Sequence, residues 1–137
     1  EYNILLSSKS EHGTRIYWAP ELIKRYRDRS SDLITFKVDI WAFGITMYQI
    51  LFNTHPFISE SESDLQIKAI HNEVELPPNH IQPDLLNIIH MCLMKSPDQR
   101  PSAKELLQTE YYKGINTDTI LEGIGPLYEQ DNISHQE

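Results

Sequence analysis

The segment 36–52 carries apolar side chains on nearly every face that a helix would present to its surroundings. These side chains are Val38, Ile40, Trp41, Phe43, Ile45, Met47, Tyr48, Ile50 and Leu51. An α-helix that is apolar all round is buried in the interior of a protein. A buried strand is the alternative, but about 15 residues is too long for one strand. The segment therefore predicts a buried central helix around which the other elements pack.

Weaker helical patterns lie on both sides of this segment. They predict helices over residues 20–26, 64–72, 84–95 and 102–109. Pro20 suits the first turn of a helix, where its missing N–H is no loss. Ser102 and Glu105 have the spacing of a capping box, in which each side chain bonds the backbone N–H of the other residue. Polar and proline-rich stretches separate the helices, so we predict a mainly α fold.

The length and the charge distribution set the domain boundaries that we predict. A chain of 137 residues is enough for one domain at most. The net charge is −8, and residues 114–137 contain five acidic residues without any Lys or Arg. We expect residues 1–113 to form the folded unit and residues 114–137 to be an acidic, mobile tail.

Neither nucleic acid nor a membrane is an expected partner. Only Lys24, Arg25, Arg27 and Arg29 form a basic cluster. We interpret the cluster as a solvated helix end, with a docking patch as the alternative. The longest apolar stretch, residues 40–52, is shorter than the ~18 residues that a membrane span requires.

Cys92 is the only cysteine of the chain, so no disulfide can form within it. This fits a reducing compartment, and we expect the cytoplasm, with the nucleus as the alternative. The pair His90 and Cys92 does not supply the four ligands of a structural zinc site, so we expect no metal site there.

Four motifs occur in one order along the chain: GTRIYWAPE at 13–21, DIWAFG at 39–44, Pro56-Phe57, and SPDQRPSAKELL at 96–107. Together they resemble the C-terminal (large) lobe of eukaryotic protein kinases, from the end of the activation segment to the last helices. Thr14 makes the first motif similar to that of Ser/Thr kinases rather than Tyr kinases. The segment 36–57 is weakly similar to calmodulin-kinase-kinase-like members. The resemblance implies a helical lobe that is part of a larger, incomplete kinase domain.

The resemblance implies structural roles for several residues. Glu21 and Arg100 would form a buried ion pair, for which the planar fork of arginine suits a carboxylate. Asp39 would accept hydrogen bonds from the backbone of the catalytic loop, and a carboxylate on an apolar helix needs such donors. Trp41 would be a core residue both from the apolar pattern of its helix and from the resemblance. Gly44 would allow close helix packing.

The same resemblance implies substrate-side residues. The hydroxyl of Thr14 would steady the catalytic base, and Tyr17 would line the loop that receives the substrate residue after the phosphoacceptor. Ordinary packing is the alternative for Tyr17 and the favoured interpretation for Trp18. Ser10 is a candidate phosphosite, because a phosphate three residues before Gly13 would draw on arginine partners.

No complete catalytic set occurs in the 137 residues. The kinase family uses a Gly-rich loop, a strand Lys, a His-Arg-Asp loop and an Asp-Phe-Gly metal site. Residues 1–12 are interpreted as activation loop; the alternative makes Asn3 the catalytic-loop Asn, a single metal ligand. We therefore expect ATP and Mg²⁺ to be cofactors of the complete domain and expect this chain alone to bind neither.

We interpret the chain as the substrate-binding part of a Ser/Thr protein kinase. The complete domain would phosphorylate Ser or Thr hydroxyls of protein substrates, and an upstream kinase would be its activator. A non-catalytic interaction module, either a pseudokinase or a truncated isoform, is the alternative. Residues 1–137 alone are expected to be inactive.

Overall fold

A computed structural model of the protein describes residues 15–77 and 83–115. Within these ranges the regular structure is helical and contains no strand, which confirms the predicted fold class. The α-helices are α1 (Pro20–Asp28), α2 (Lys37–Phe52), α3 (Glu62–His71), α4 (Pro83–Cys92), α5 (Ala103–Leu107) and α6 (Glu110–Lys113). Single-turn 3-10 helices lie at Arg15–Tyr17 and Pro97–Gln99.

The central helix α2 has almost the bounds that its sequence predicts. It begins at Lys37, one residue later than expected, and ends at Phe52. Asn53 stops it, because its backbone is left-handed at φ 54° and its N–H donates to the Gln49 carbonyl at 2.8 Å. Asn is one of the few residues that adopt this conformation readily.

The other helix ends follow local hydrogen bonds. Helix α3 begins two residues earlier than predicted, because the Ser61 hydroxyl accepts the Asp64 N–H at 3.1 Å. Helix α4 ends three residues early: the Leu93 N–H bonds both the Ile89 and the His90 carbonyls, which tightens the last turn. The predicted capping box of Ser102 is present at the start of α5.

The region predicted as one helix over residues 102–109 contains the start of a second helix. Helix α5 ends at Leu107, and Thr109 is extended, at φ −69° and ψ 154°, as the N-cap of α6. The Thr109 hydroxyl donates to the Leu106 carbonyl at 2.7 Å. Threonine satisfies backbone groups in this way at helix ends, which explains the break.

The expectation that α2 is buried on all sides is wrong for the described part of the chain. Its buried residues are Trp41, Gly44, Ile45 and Tyr48, which form one stripe along the helix. Asp39, Thr46 and Ile50 lie on an exposed stripe, and Ile50 is 71% exposed. An apolar pattern shows which faces tolerate burial, but burial also needs a neighbour to cover the face, and only the tertiary structure decides which faces are covered.

Helix α2 lies between two apolar clusters. Trp41, Ile45 and Tyr48 belong to a core with Ile23 and Phe57, whereas Ile40 and Phe43 pack against a second cluster, which contains Ile88, Cys92 and Leu106. The core holds α2 against the 3-10 helix Arg15–Tyr17, α1, α3 and α4. The second cluster holds it against α4, α5 and α6.

Helices α2 and α4 approach each other closely at Gly44. A Cβ atom placed on Gly44 would lie 2.8 Å from the Cys92 Cβ and 2.9 Å from the Leu93 Cδ2. These distances are too short for a side chain. The hypothesis that Gly44 allows close helix packing therefore agrees with the structure.

The division into a folded unit over 1–113 and an acidic tail over 114–137 stays a prediction, because only residues 114 and 115 of the tail are described. Among the helices that the structure describes, none combines the length and the apolar character that crossing a membrane requires.

Candidate functional site

The guanidinium group of Arg100 uses all five of its N–H donors. Its Nη1 and Nη2 atoms donate to the two carboxylate oxygens of Glu21 at 2.7 and 2.8 Å. The remaining donors bond the backbone carbonyls of Met94 at 2.7 Å, Lys37 at 3.0 Å and Lys95 at 3.1 Å. A fork with every donor satisfied is the geometry in which an arginine charge can be buried.

The ion pair of Glu21 and Arg100 is almost fully enclosed. The two residues are 5% and 1% exposed, and the Arg100 guanidinium also lies 5.1 Å from the centre of the Trp41 ring. Glu21 occupies the first turn of α1, where the positive end of the helix dipole favours a carboxylate. The contact that the resemblance implies is therefore made, and it joins the start of α1 to the segment between the 3-10 helix Pro97–Gln99 and α5.

Lys37 closes the same junction from the first turn of α2. Its carbonyl accepts a hydrogen bond from Arg100, and its Nζ donates to the Arg100 carbonyl. The start of α2, the start of α1 and the segment before α5 thus meet around one arginine.

Trp41 and Phe57, from two of the sequence motifs, stack on each other. Their ring centres are 5.9 Å apart and their planes differ by 5°. The Nε1–H of Trp41 is buried and has no acceptor in the described part of the chain. Trp41 is a core residue, as the sequence predicts.

Lys95 lies beside this aromatic pair and was not anticipated from the sequence. Its Nζ is 4.3 Å from the Phe57 ring centre and 5.0 Å from that of Trp41, and it donates to the Ala69 carbonyl at 2.6 Å. Burial lowers the pKa of Lys95 to about 8, although Glu73 opposes the shift and Arg100 adds to it. Its position directly before Ser96-Pro97 carries no signal of this environment.

The 3-10 helix Arg15–Tyr17 carries the predicted substrate-side residue Tyr17. This side chain is half-buried and packs against the core. Trp18 makes an edge-to-face contact with Tyr26 at 5.2 Å, in agreement with the favoured packing role. Arg15 lies over both rings, 5.7 and 5.0 Å from their centres, so the segment is held by aromatic contacts on its outer side.

The structure does not bring all predicted site residues together. Asp39 is exposed, and its carboxylate makes no hydrogen bond or ion pair with the described residues, so its proposed contact with a catalytic loop stays a prediction. Thr14, Ser10 and Asn3 lie outside the described residues, and both interpretations of the N-terminal segment remain open. In the basic cluster, Arg25 donates to the Asp32 carbonyl at 3.0 Å.

The comparison with known families decides the identity of this arrangement. Residues 3–112 match the family model described as the protein kinase domain. The chain belongs to the protein kinase domain family. The pair of Glu21 and Arg100, the stack of Trp41 and Phe57, and the packing around Gly44 thus belong to the helical part of a kinase domain.

The chain is similar to several Ser/Thr protein kinases. It is 38% identical over 101 residues to the serine/threonine-protein kinase ppk13 of Schizosaccharomyces pombe, covering 72% of this chain and 28% of that protein. It is 28% identical over 134 residues to the G2-specific protein kinase fin1 of the same yeast, covering 98% of this chain and 18% of that one. With the CBL-interacting protein kinase 25 of Oryza sativa it shares 33% identity over 101 residues, with coverages of 74% and 18%.

The chain thus spans 28% or less of the length of these curated relatives. The similarity supports a Ser/Thr kinase domain of which these residues form a part. The weak similarity to calmodulin-kinase-kinase-like members stays a prediction.

Proposed function

We propose that this chain forms the protein-substrate side of a Ser/Thr kinase domain. The complete domain transfers the terminal phosphate of ATP to a Ser or Thr hydroxyl, and this segment holds the polypeptide that carries the hydroxyl. One observation carries the proposal: the bidentate pair of Glu21 and Arg100 fixes the chain directly after the segment of Thr14 and Tyr17. A platform fixed in this way keeps substrate and catalytic groups in one geometry, and positioning supplies much of the acceleration in phosphoryl transfer.

We propose that the nucleotide side of the complete domain is built by residues outside this chain. In the ranges 15–77 and 83–115, no three His, Cys, Asp or Glu side chains lie close enough together to hold a metal ion. The kinase family uses ATP and Mg²⁺, and we propose that the complete domain does so through residues other than these.

Phosphate transfer by the full-length protein tests the proposal, with Thr14 as the variable residue. Thr14→Val removes the hydroxyl but keeps the shape, whereas Thr14→Ser keeps the hydroxyl and is the matched control. We expect Thr14→Val to lose a large part of the ~10²–10⁴-fold that a positioned general base contributes, and Thr14→Ser to keep most activity. The measured quantity is kcat for a protein substrate with Mg-ATP.

Two outcomes overturn parts of the proposal. Full-length protein that binds partners but transfers no phosphate supports the non-catalytic interaction module. Transfer by residues 1–137 alone, lost in Thr14→Val, shows that the catalytic groups lie within this chain.

We further propose that Ser10 is phosphorylated by an upstream kinase and that the protein acts in the cytoplasm or the nucleus. The first proposal rests on the offset of Ser10 from Gly13, the second on the lone Cys92. Phosphopeptide mapping and imaging of the tagged protein test them separately.

A further inference from the structure

His55 is a buried histidine between the end of α2 and the 3-10 helix Arg15–Tyr17. It is 7% exposed and lies directly before Pro56-Phe57. A buried histidine needs a partner for each ring nitrogen, because an unpaired polar group in the interior is costly. Both partners of His55 are backbone atoms.

The two hydrogen bonds of His55 determine its tautomer. The Phe57 N–H points at the Nδ1 atom at 3.0 Å, and the Ile16 carbonyl lies 2.9 Å from the Nε2 atom. A backbone N–H only donates, so Nδ1 carries no proton; a carbonyl only accepts, so Nε2 carries one. The ring is therefore neutral and protonated at Nε2.

These bonds join a surface segment to the core. Ile16 is the middle residue of the 3-10 helix and precedes Tyr17, whereas Phe57 is 2% exposed and stacks on Trp41. The ring of His55 thus connects its own neighbour Phe57 to the backbone of Ile16, which lies 39 positions before His55 in the sequence.

We propose that His55 is a positioning residue for the protein substrate. Its Nε2–H holds the Ile16 carbonyl and thereby sets the backbone of Tyr17, which lines the substrate side. This inference rests on the proposed kinase function. It assigns to His55 an effect on substrate binding that a histidine filling space in the core would not have.

Protonation breaks this arrangement, because a second ring proton at Nδ1 would face the Phe57 N–H. Burial lowers the pKa of His55, and the hydrogen bond to the Ile16 carbonyl opposes the shift. The charged side chains on the elements packed around the ring include Arg15, Glu62 and Lys95. Since the pKa is lowered, the neutral ring persists at neutral pH. This arrangement of two hydrogen bonds around His55 is lost only as the pH falls through the pKa that His55 has in the folded protein.

Two substitutions separate the two bonds in the full-length protein. The amide nitrogen of His55→Gln reaches about as far as Nε2 and can donate to the Ile16 carbonyl. The amide oxygen of His55→Asn lies near the position of Nδ1 and can accept from Phe57 but cannot reach Ile16. We expect His55→Asn to raise KM for the protein substrate about fivefold to tenfold, the loss of one hydrogen bond, with KM for ATP unchanged. His55→Gln should stay within about twofold of wild type.

The pH profile gives a second readout. KM for the protein substrate should rise in the wild type as the pH falls through the His55 pKa, and His55→Gln should lack this rise. If His55→Asn and His55→Gln lower thermal stability equally and leave KM unchanged, His55 is only a core residue and the proposal is overturned.

An NMR measurement on the chain of residues 1–137 keeps this test separate from the proposed function. Ring ¹⁵N shifts should report a proton on Nε2, and exchange of the Tyr17 amide should be faster in His55→Asn than in His55→Gln. A ring protonated at Nδ1 would contradict the proposed hydrogen bonds of His55, whether or not the protein transfers phosphate. The expected tautomer in a protein that transfers no phosphate instead overturns only the kinase proposal.

Discussion

Glu21 and Arg100 are 79 positions apart, yet two parallel hydrogen bonds of 2.7 and 2.8 Å join their side chains. Three backbone carbonyls accept the other donors of Arg100, so the guanidinium has no donor left over. Removing Glu21 would leave the two guanidinium donors that bond its carboxylate unpaired in a buried site. The cost of breaking the pair is therefore expected to exceed what the pair itself contributes.

The first prediction concerns this pair. Glu21→Ala and Arg100→Ala should each lower the free energy of unfolding by about 3–5 kcal/mol, because each leaves the charge of the other residue buried and unpaired. The double variant should cost clearly less than the sum of the two, because no unpaired charge remains. Urea unfolding of the full chain, followed by circular dichroism, measures all three. Glu21→Gln, which keeps one acceptor oxygen, serves if Glu21→Ala does not fold.

The exposed pair of Glu110 and Lys113 is the control. Its atoms are 2.8 Å apart, but its side chains are 78% and 57% exposed. Alanine at either position should cost less than about 1 kcal/mol, and the two effects should add. Equal losses in the free energy of unfolding for the two pairs would contradict the buried geometry around Arg100.

The second prediction compares two glycines. Gly44→Ala places a Cβ 2.8 Å from the Cys92 Cβ, so α2 and α4 must separate, at an expected cost of about 1–3 kcal/mol. At Gly114 the nearest atoms are 3.7 Å away and the backbone is right-handed, so Gly114→Ala should stabilise by up to about 1 kcal/mol. Thermal unfolding of both variants measures the contrast. If Gly44→Ala left the stability unchanged, helices α2 and α4 would be able to move apart without cost.

The third prediction concerns the two sides of α2. Ile45 is 0% exposed in the core, whereas Ile50 is 71% exposed on the same helix. Ile45→Ala should cost about 2–5 kcal/mol, because it removes buried methyl groups and leaves a cavity. Ile50→Ala should stay within about 0.5 kcal/mol, as is usual for surface positions. Comparable losses at both positions in denaturant unfolding would show that a further segment of the protein covers Ile50.

The fourth prediction is a pH dependence that arises from Lys95. Its pKa falls from 10.5 to about 8 on folding, so between these values the unfolded chain binds more protons than the folded one. The free energy of unfolding contributed by Lys95 should therefore rise as the pH increases from about 8 to 10.5.

Lys95→Met should remove this rise, because methionine fills similar space beside Phe57 and does not titrate. Lys104→Met, at an exposed position of α5, is the control and should leave the rise in place. A rise that persists in Lys95→Met assigns the effect to another group.

Much of the fold follows from short-range patterns. The bounds of α2 and the capping box of Ser102 depend on residues within a few positions of each other, and the sequence predicts both closely. The ends of α4 and α5 were missed because they depend on bonds of single carbonyls and hydroxyls, which helical periodicity does not report.

The candidate site also contains residues that the sequence predicts and residues that it does not. The sequence by itself identified Glu21, Trp41 and Arg100, because their motifs resemble those of a known family. His55 and Lys95 carry no such motif signal, and their roles come from the backbone carbonyls and aromatic rings around them.

The sequence by itself therefore determined the position of the central helix and the capping box of Ser102, the resemblance to a protein kinase domain, and the pairing of Glu21 with Arg100. Only the tertiary structure decided that Ile50 is exposed, that His55 is neutral and that the pKa of Lys95 is low. The physical reason is that helix propensity and capping act between neighbouring residues. Burial and pKa depend instead on atoms that the fold brings together from distant positions in the chain.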